Sequence, residues 1–192
     1  MTVATLSEVL SKAKAHHYAV AGLVVLGWED ARCYAETAEE LGLPIILQAG
    51  PGCRANTPVP ILGKMFRHLA EQSSQPIVCH LDHGYSKEEC IEGMENGFTS
   101  VMFDGSKLTL KENIKISKKI ASRAHKYNIS IEGEIGFVGY VNGEPYYGPF
   151  HIHAPTGVKM VGARHVNEPH DIITSRPNTP TERAYINQED VT

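Results

Sequence analysis

Six ionisable residues fall in three short motifs: His80, Asp82 and His83 in His80-Leu81-Asp82-His83-Gly84, Asp104 in Asp104-Gly105-Ser106, and Glu132 and Glu134 in Glu132-Gly133-Glu134. A neutral imidazole with several carboxylates beside it suits a divalent transition metal such as zinc, and a carboxylate left off the metal can move protons. The competing reading is that each polar residue merely satisfies loop backbone groups, as Asp and Ser commonly do. Their recurrence at the ends of three consecutive apolar runs favours a site.

Weaker signals accompany these. His80, inside an apolar run, reads as a core histidine before it reads as a ligand. Gly50-Pro51-Gly52 and Gly105-Ser106 fit a phosphate cradle built from backbone N–H groups, but a turn explains each equally well. His151 and His153 have metal-ligand spacing in a proline-rich segment that offers no scaffold.

The elements that must position these groups follow from apolar periodicity. Leu6, Val9, Leu10 and Ala13 recur at helical spacing. The run Tyr18 to Leu26 reads as a strand covered on both faces. A helix follows from about Glu29 to Leu41 and stops at Gly42, where a left-handed residue is expected. Pro44 to Gln48 is a second strand, ending in the loop Ala49-Gly50-Pro51-Gly52, and Pro60 to Gln72 is a third helix. The run from Pro76 to Cys79 is a buried strand that ends in Asp82 and His83. Adjacent strand residues face opposite ways, so both side chains can reach one site only where that strand frays.

Ser86 is placed to cap the next helix, with Glu89 three residues on. The strand Thr99 to Phe103, a helix from Lys111 to Tyr127 ended by Asn128, and a strand from Ser130 to Ile135 complete the pattern. Four successive strand-helix-strand units predict a parallel sheet, in which ligands bind at the carboxyl ends of the strands. Beyond Tyr140 periodicity stops: the prolines at 145, 149, 155, 169, 177 and 180 lie in a segment that reads as loop or disorder.

At 192 residues the chain is long enough to bury a substantial core, and 42% hydrophobic with 21% charged residues describes a globular protein in water. A formal net charge of -4 gives no reason to expect nucleic acid or an anionic membrane as a partner. The four cysteines form no CxxC pair, so reduced thiols and a cytoplasmic setting are expected. Neither a signal-peptide core nor an apolar run near the roughly 20 residues of a membrane span is present.

With these residues in place, the chain resembles the class II, metal-dependent ketose-bisphosphate aldolases, and within them looks closest to the fructose- and tagatose-1,6-bisphosphate group. The motifs that carry the likeness are His80-Leu81-Asp82-His83-Gly84, the run Gly97 to Ser106, Glu112-Asn113-Ile114, and Glu132-Gly133-Glu134-Ile135-Gly136, over about residues 4–140. The resemblance implies a (β/α)8 TIM-barrel type of fold, with Asp82 as catalytic proton donor and His83 as a ligand of the catalytic zinc. It also implies that Asp104 and Glu134 help hold a second or alternative metal position.

The substrate it implies is a small-molecule sugar phosphate, cleaved reversibly to dihydroxyacetone phosphate and glyceraldehyde 3-phosphate by Lewis-acid polarisation of a ketone, in a homo-oligomer. No Schiff-base lysine is required.

The likeness also has gaps. The family's two later zinc-ligand histidines and its asparagine-containing phosphate loop do not appear, and Val24 stands where the family usually has asparagine. The motif after the fifth strand is also altered, and the sequence from about Tyr146 reads as unrelated. The expected organisation is therefore residues 1–140 as the first five strands of a barrel and residues 141–192 as an irregular tail. Five strands cannot close a barrel, and the last would expose an edge. An alternative reading follows: a truncated, inactive homologue acting as a fragment or binding partner, or one in which His151, His153 or His165 replaces the lost ligands.

Overall fold

The computed structural model describes residues 2–136 throughout, and beyond them the backbone of short strand segments at 139–141, 144–146, 150–152, 159–161, 170–171 and 183–184. The chain divides into two compact units, Met1–Ile135 and Gly136–Thr192.

The first unit is a parallel α/β sheet. Its elements are β1 (Val3–Ala4), α1 (Leu6–His16), β2 (Ala21–Val24), α2 (Trp28–Leu41), β3 (Ile45–Ala49), α3 (Pro51–Asn56), α4 (Val59–Gln72), β4 (Ile77–Gly84), α5 (Lys87–Glu95), β5 (Ser100–Phe103), α6 (Leu110–Ala124) and β6 (Ser130–Gly133). The sheet order is β2-β3-β4-β5-β6, every pairing parallel, as successive strand-helix-strand crossovers require. The two-residue β1, which carries too little pattern to be read from sequence, pairs with the start of β4. Thr99 ties that junction: its hydroxyl donates to the Ala4 carbonyl at 2.7 Å and accepts from the Cys79 N–H at 3.1 Å.

Local chemistry starts and stops the helices where expected. Thr5 with Glu8, and Thr109 with Glu112, close reciprocal capping boxes on α1 and α6, each worth about 1 kcal/mol. Gly42 ends α2 and Asn128 ends the 3-10 turn after α6, both left-handed. Ser86 accepts from the Glu89 N–H, but the Glu89 carboxylate turns outward to the Tyr85 N–H instead of closing the box.

The core lies between the sheet and its helices, built on Leu47, Ile77, Cys79, Leu81, Val101 and Phe103 of the strands and Leu62, Phe66 and Ile120 of the helices. Phe66 and Phe98 meet edge to face at 5.8 Å. All four cysteines are free, and burial pushes the Cys79 and Cys90 thiols up to about 12, as inert core thiols. No helix among the described residues is long and apolar enough to cross a membrane.

Three sequence expectations need correction. The run Tyr18 to Leu26 is not a doubly covered strand: β2 is an edge strand of four residues, with Val24 and Leu26 exposed. Gly50-Pro51-Gly52 is not a loop, because Pro51 occupies the first turn of α3, where its fixed φ and missing N–H favour a helix start. The second unit is not wholly irregular: Gly139–Val141 pairs antiparallel with Glu144–Tyr146, Phe150–Ile152 with Lys159–Val161, and His170–Asp171 with Arg183–Ala184. These strands are two or three residues long, too short to carry a detectable alternation.

Candidate metal centre

The polar strand ends all belong to the first unit. β4 does not fray at Asp82 and His83. It pairs with β5 on either side of them, at Leu81 and again at Gly84, but the register shifts between those two residues, and His83 takes a left-handed backbone with φ 51°. Such a bulge re-aims side chains that strict alternation would separate. Gly84 lets the shifted backbone approach β5, since a Cβ there would lie 2.8 Å from Cys90 Sγ and 3.0 Å from the Met102 carbonyl oxygen.

The turned-out His83 meets the ends of the next two strands. Its Nδ1 lies 3.0 Å from Asp104 Oδ2 and 3.4 Å from Glu134 Oε2. One ligand atom from each of the three residues falls within 4.8 Å of the others. Asp104 follows β5 and is braced by the Ser106 N–H, which donates to Oδ1 at 3.0 Å. Glu134 follows β6, and its backbone carbonyl accepts from Asn113 Nδ2 at 2.7 Å. The same amide group donates to the Gly105 carbonyl at 3.2 Å, so buried Asn113 joins the loops that carry both carboxylates.

The electrostatics are asymmetric across the three. Burial disfavours a charged His83, but the Asp104 hydrogen bond and the carboxylates around it outweigh that and raise its pKa. Burial likewise opposes ionisation of Asp104, yet hydrogen bonds from Ser106 and His83 leave it below its ordinary value. Glu134 is pushed up by burial and by the Asp104 charge. Its Oε2 is buried and accepts no hydrogen bond among the described residues. An anionic oxygen buried without a donor is costly, and a cation removes the cost. One imidazole nitrogen with two carboxylates is a donor set that zinc and related divalent ions accept, so the residues present fit a metal.

Asp82 stands apart from this trio. Its side chain is 16% exposed and Oδ1 lies 3.8 Å from His80 Nε2. His80 is a buried core histidine, hydrogen-bonded through Nδ1 to Ser100 Oγ at 2.9 Å, but its Nε2 has no hydrogen-bond partner among the described residues and faces Asp82 and, at 3.7 Å, Glu132. Burial pushes His80 down to about 4 against the Asp82 charge, so the ring is neutral near pH 7. Glu132, half-exposed, is raised by burial and by Asp82.

The family model described as fructose-bisphosphate aldolase class-II matches residues 4–175. The chain belongs to the class II fructose-bisphosphate aldolase family. That match runs past residue 140, where the sequence reading ended the likeness, and covers part of the segment read as unrelated.

Among curated relatives, the chain is 37% identical over 147 residues to a 6-phospho-5-dehydro-2-deoxy-D-gluconate aldolase of Bacillus licheniformis, covering 72% of this chain and 49% of the relative. It is 33% identical over 159 residues to a fructose-bisphosphate aldolase of Treponema pallidum, covering 79% of this chain and 48% of that one. The crystal structure of the YdjI aldolase from Escherichia coli K12 is similar with a TM-score of 0.66 and 30% identity, over 70% of this chain and 52% of that one. The chain spans about half the length of the relatives it matches. The aldolase neighbours have TIM-barrel type folds, and the five-strand path β2 to β6 is a partial version of one.

The structure brings His83, Asp104 and Glu134 together and leaves Asp82 apart from them, beside His80. Sequence reasoning missed Arg54, whose guanidinium donates to the backbone carbonyls of Asp82 and His83, and passed over Asn113 as a contact residue. Arg54 follows the segment Ala49-Gly50-Pro51-Gly52, which reads as a loop and so hides the helix that carries it; Asn113 was visible only as part of a motif, with nothing to say that its amide group bridges two loops. His151, His153 and His165, the possible replacement ligands, have side chains outside the described residues.

Proposed function

We propose that this chain carries the amino-terminal part of a metal-dependent aldol-cleavage site, in which His83, Asp104 and Glu134 take a divalent cation, zinc being the expected ion, and Asp82 moves the proton. The observation that carries the reading is the buried Glu134 Oε2, which accepts no hydrogen bond among the described residues and lies within reach of one His83 nitrogen and one Asp104 oxygen. A bound divalent cation supplies Lewis-acid polarisation of a substrate carbonyl.

The chain's own residues do the rest. Ser106 braces the Asp104 carboxylate, Asn113 ties the backbone of the loops that carry both carboxylates, and the bulge at His83 turns its ring toward them. Asp82 has no part in the trio and keeps a mostly buried carboxyl free to give and take a proton beside neutral His80. No amine nucleophile is called for.

The substrate is a phosphorylated sugar. A ketose 1,6-bisphosphate, giving dihydroxyacetone phosphate and glyceraldehyde 3-phosphate, is the first choice, with cytoplasmic carbohydrate metabolism as the setting. Self-association into a homo-oligomer is the matching proposal for assembly, since Val24 of the edge strand β2 and Leu26 just beyond it are exposed. A second reading rests on the single nitrogen donor in the trio: a chain that holds a cation but does not turn over.

The deciding experiment is a coupled cleavage assay with fructose and tagatose 1,6-bisphosphates and 6-phospho-5-dehydro-2-deoxy-D-gluconate, with and without zinc. Zinc-dependent cleavage of any of them supports the enzyme reading. Zinc uptake with no cleavage of all three leaves the second.

A further inference from the structure

The shifted register that aims His83 leaves backbone acceptors unclaimed. Between the pairs Leu81↔Val101 and Gly84↔Phe103, two residues of β4, Asp82 and His83, face the single β5 residue Met102, and neither is paired with it. Their carbonyls are claimed by Arg54 of α3. Arg54 Nη2 donates to the His83 carbonyl at 2.9 Å, and Nη1 donates to the carbonyls of Asp82 and of Ala49 at the end of β3. Nε completes the set by donating to Glu89 Oε1 at 2.9 Å, from the first turn of α5. The guanidinium is nearly enclosed, its side chain 5% exposed.

One planar cation thus spans the ends of two strands and the start of a helix. A guanidinium presents five donors in a fixed fork and stays charged at any ordinary pH. A lysine ammonium offers its donors from a single atom and cannot bridge these separated acceptors.

We propose that Arg54 is a positioning residue for the metal centre: it pins the bulged Asp82-His83 backbone and thereby sets the reach of His83 Nδ1 toward Asp104 and Glu134. Arg54 touches neither the trio's ligand atoms nor the Asp82 carboxyl and acts through the main chain. The inference rests on the metal reading above, and its test separates the two.

The test compares the wild-type chain with Arg54→Lys, Glu89→Gln and Val9→Ala, the last a core substitution in α1 far from the bulge. Zinc affinity is measured by competition with a chromogenic chelator, and amide hydrogen exchange is followed at residues 82–84. Arg54→Lys is expected to weaken zinc binding by about 10-fold or more, the range found for groups that orient metal ligands, and to speed exchange at 82–84. Val9→Ala, although less stable, keeps the affinity and local protection of the wild type, which a merely structural role for Arg54 would not predict.

Wild-type affinity and protection in Arg54→Lys overturn the proposal. If Arg54→Lys does not fold, Glu89→Gln decides: a smaller loss of affinity with faster exchange supports the proposal, and no change overturns it. If the wild type takes up no zinc, the metal reading fails, and the exchange comparison alone decides whether Arg54 pins the bulge.

Discussion

His83 Nδ1 and Asp104 Oδ2 lie 3.0 Å apart although the residues leave different strands, because a bulge turns His83 across to its neighbour. The contact raises the His83 pKa and lowers that of Asp104. In the metal-free chain the His83 share of stability is therefore complete below about pH 6.5 and is lost as pH rises through its raised value. A protonated imidazole cannot be a ligand, so zinc affinity should rise with pH across that same raised value. Affinity measured from pH 6 to 8 should climb; a flat profile would remove His83 from the ligand set.

The backbone at His83 makes a separate prediction. A residue with a Cβ pays for φ 51°, and glycine does not. His83→Gly should be more stable than His83→Ala by about 1 kcal/mol in denaturant unfolding, both having lost the imidazole. Equal stability, or alanine above glycine, would mean that His83 does not hold this conformation in solution.

His80 predicts an acid-side loss of stability. Its folded pKa of about 4 lies below the ordinary 6.5, so between those values the unfolded chain binds a proton that the native chain does not. Stability should fall as pH drops through that window, with a limiting slope of about 1.4 kcal/mol per pH unit from this group. Asp82, Glu132, His83 and Arg54 surround it and modulate the slope. The His80→Asn variant should unfold with a flatter dependence from pH 6.5 to 4; an unchanged slope would place His80 in contact with water.

Much of this was legible in the sequence because strand order and strand ends follow from apolar runs and punctuation. The segments ending in Asp82, Asp104 and Glu134 were recognisable, and a parallel sheet brings such ends to one face. What could not be read was geometry that depends on one residue's backbone. The bulge at His83 follows from register between two strands, which no local pattern encodes. Arg54 was hidden because Gly50-Pro51-Gly52 signals a turn as readily as the first turn of a helix. The short strands after Gly136 lack the length over which alternation can be seen.

Asp82 separates proton transfer from metal binding. If aldol cleavage is observed, a chelator should abolish it. Asp82→Ala should lower turnover by about 100-fold or more while zinc affinity stays close to that of the wild type. Cleavage that resists the chelator, survives Asp82→Ala and is trapped by borohydride would call for a Schiff-base lysine instead.

Calorimetric titration of zinc into the purified chain, beside His83→Ala and Glu134→Gln, tests the central claim most directly. The account predicts one ion per chain, bound more weakly than by three histidines because His83 is the trio's only nitrogen donor. Both substitutions should weaken binding by about 10-fold or more. Absence of zinc uptake by the wild type would contradict it, as would binding that ignores both substitutions and disappears only when His151, His153 and His165 are replaced.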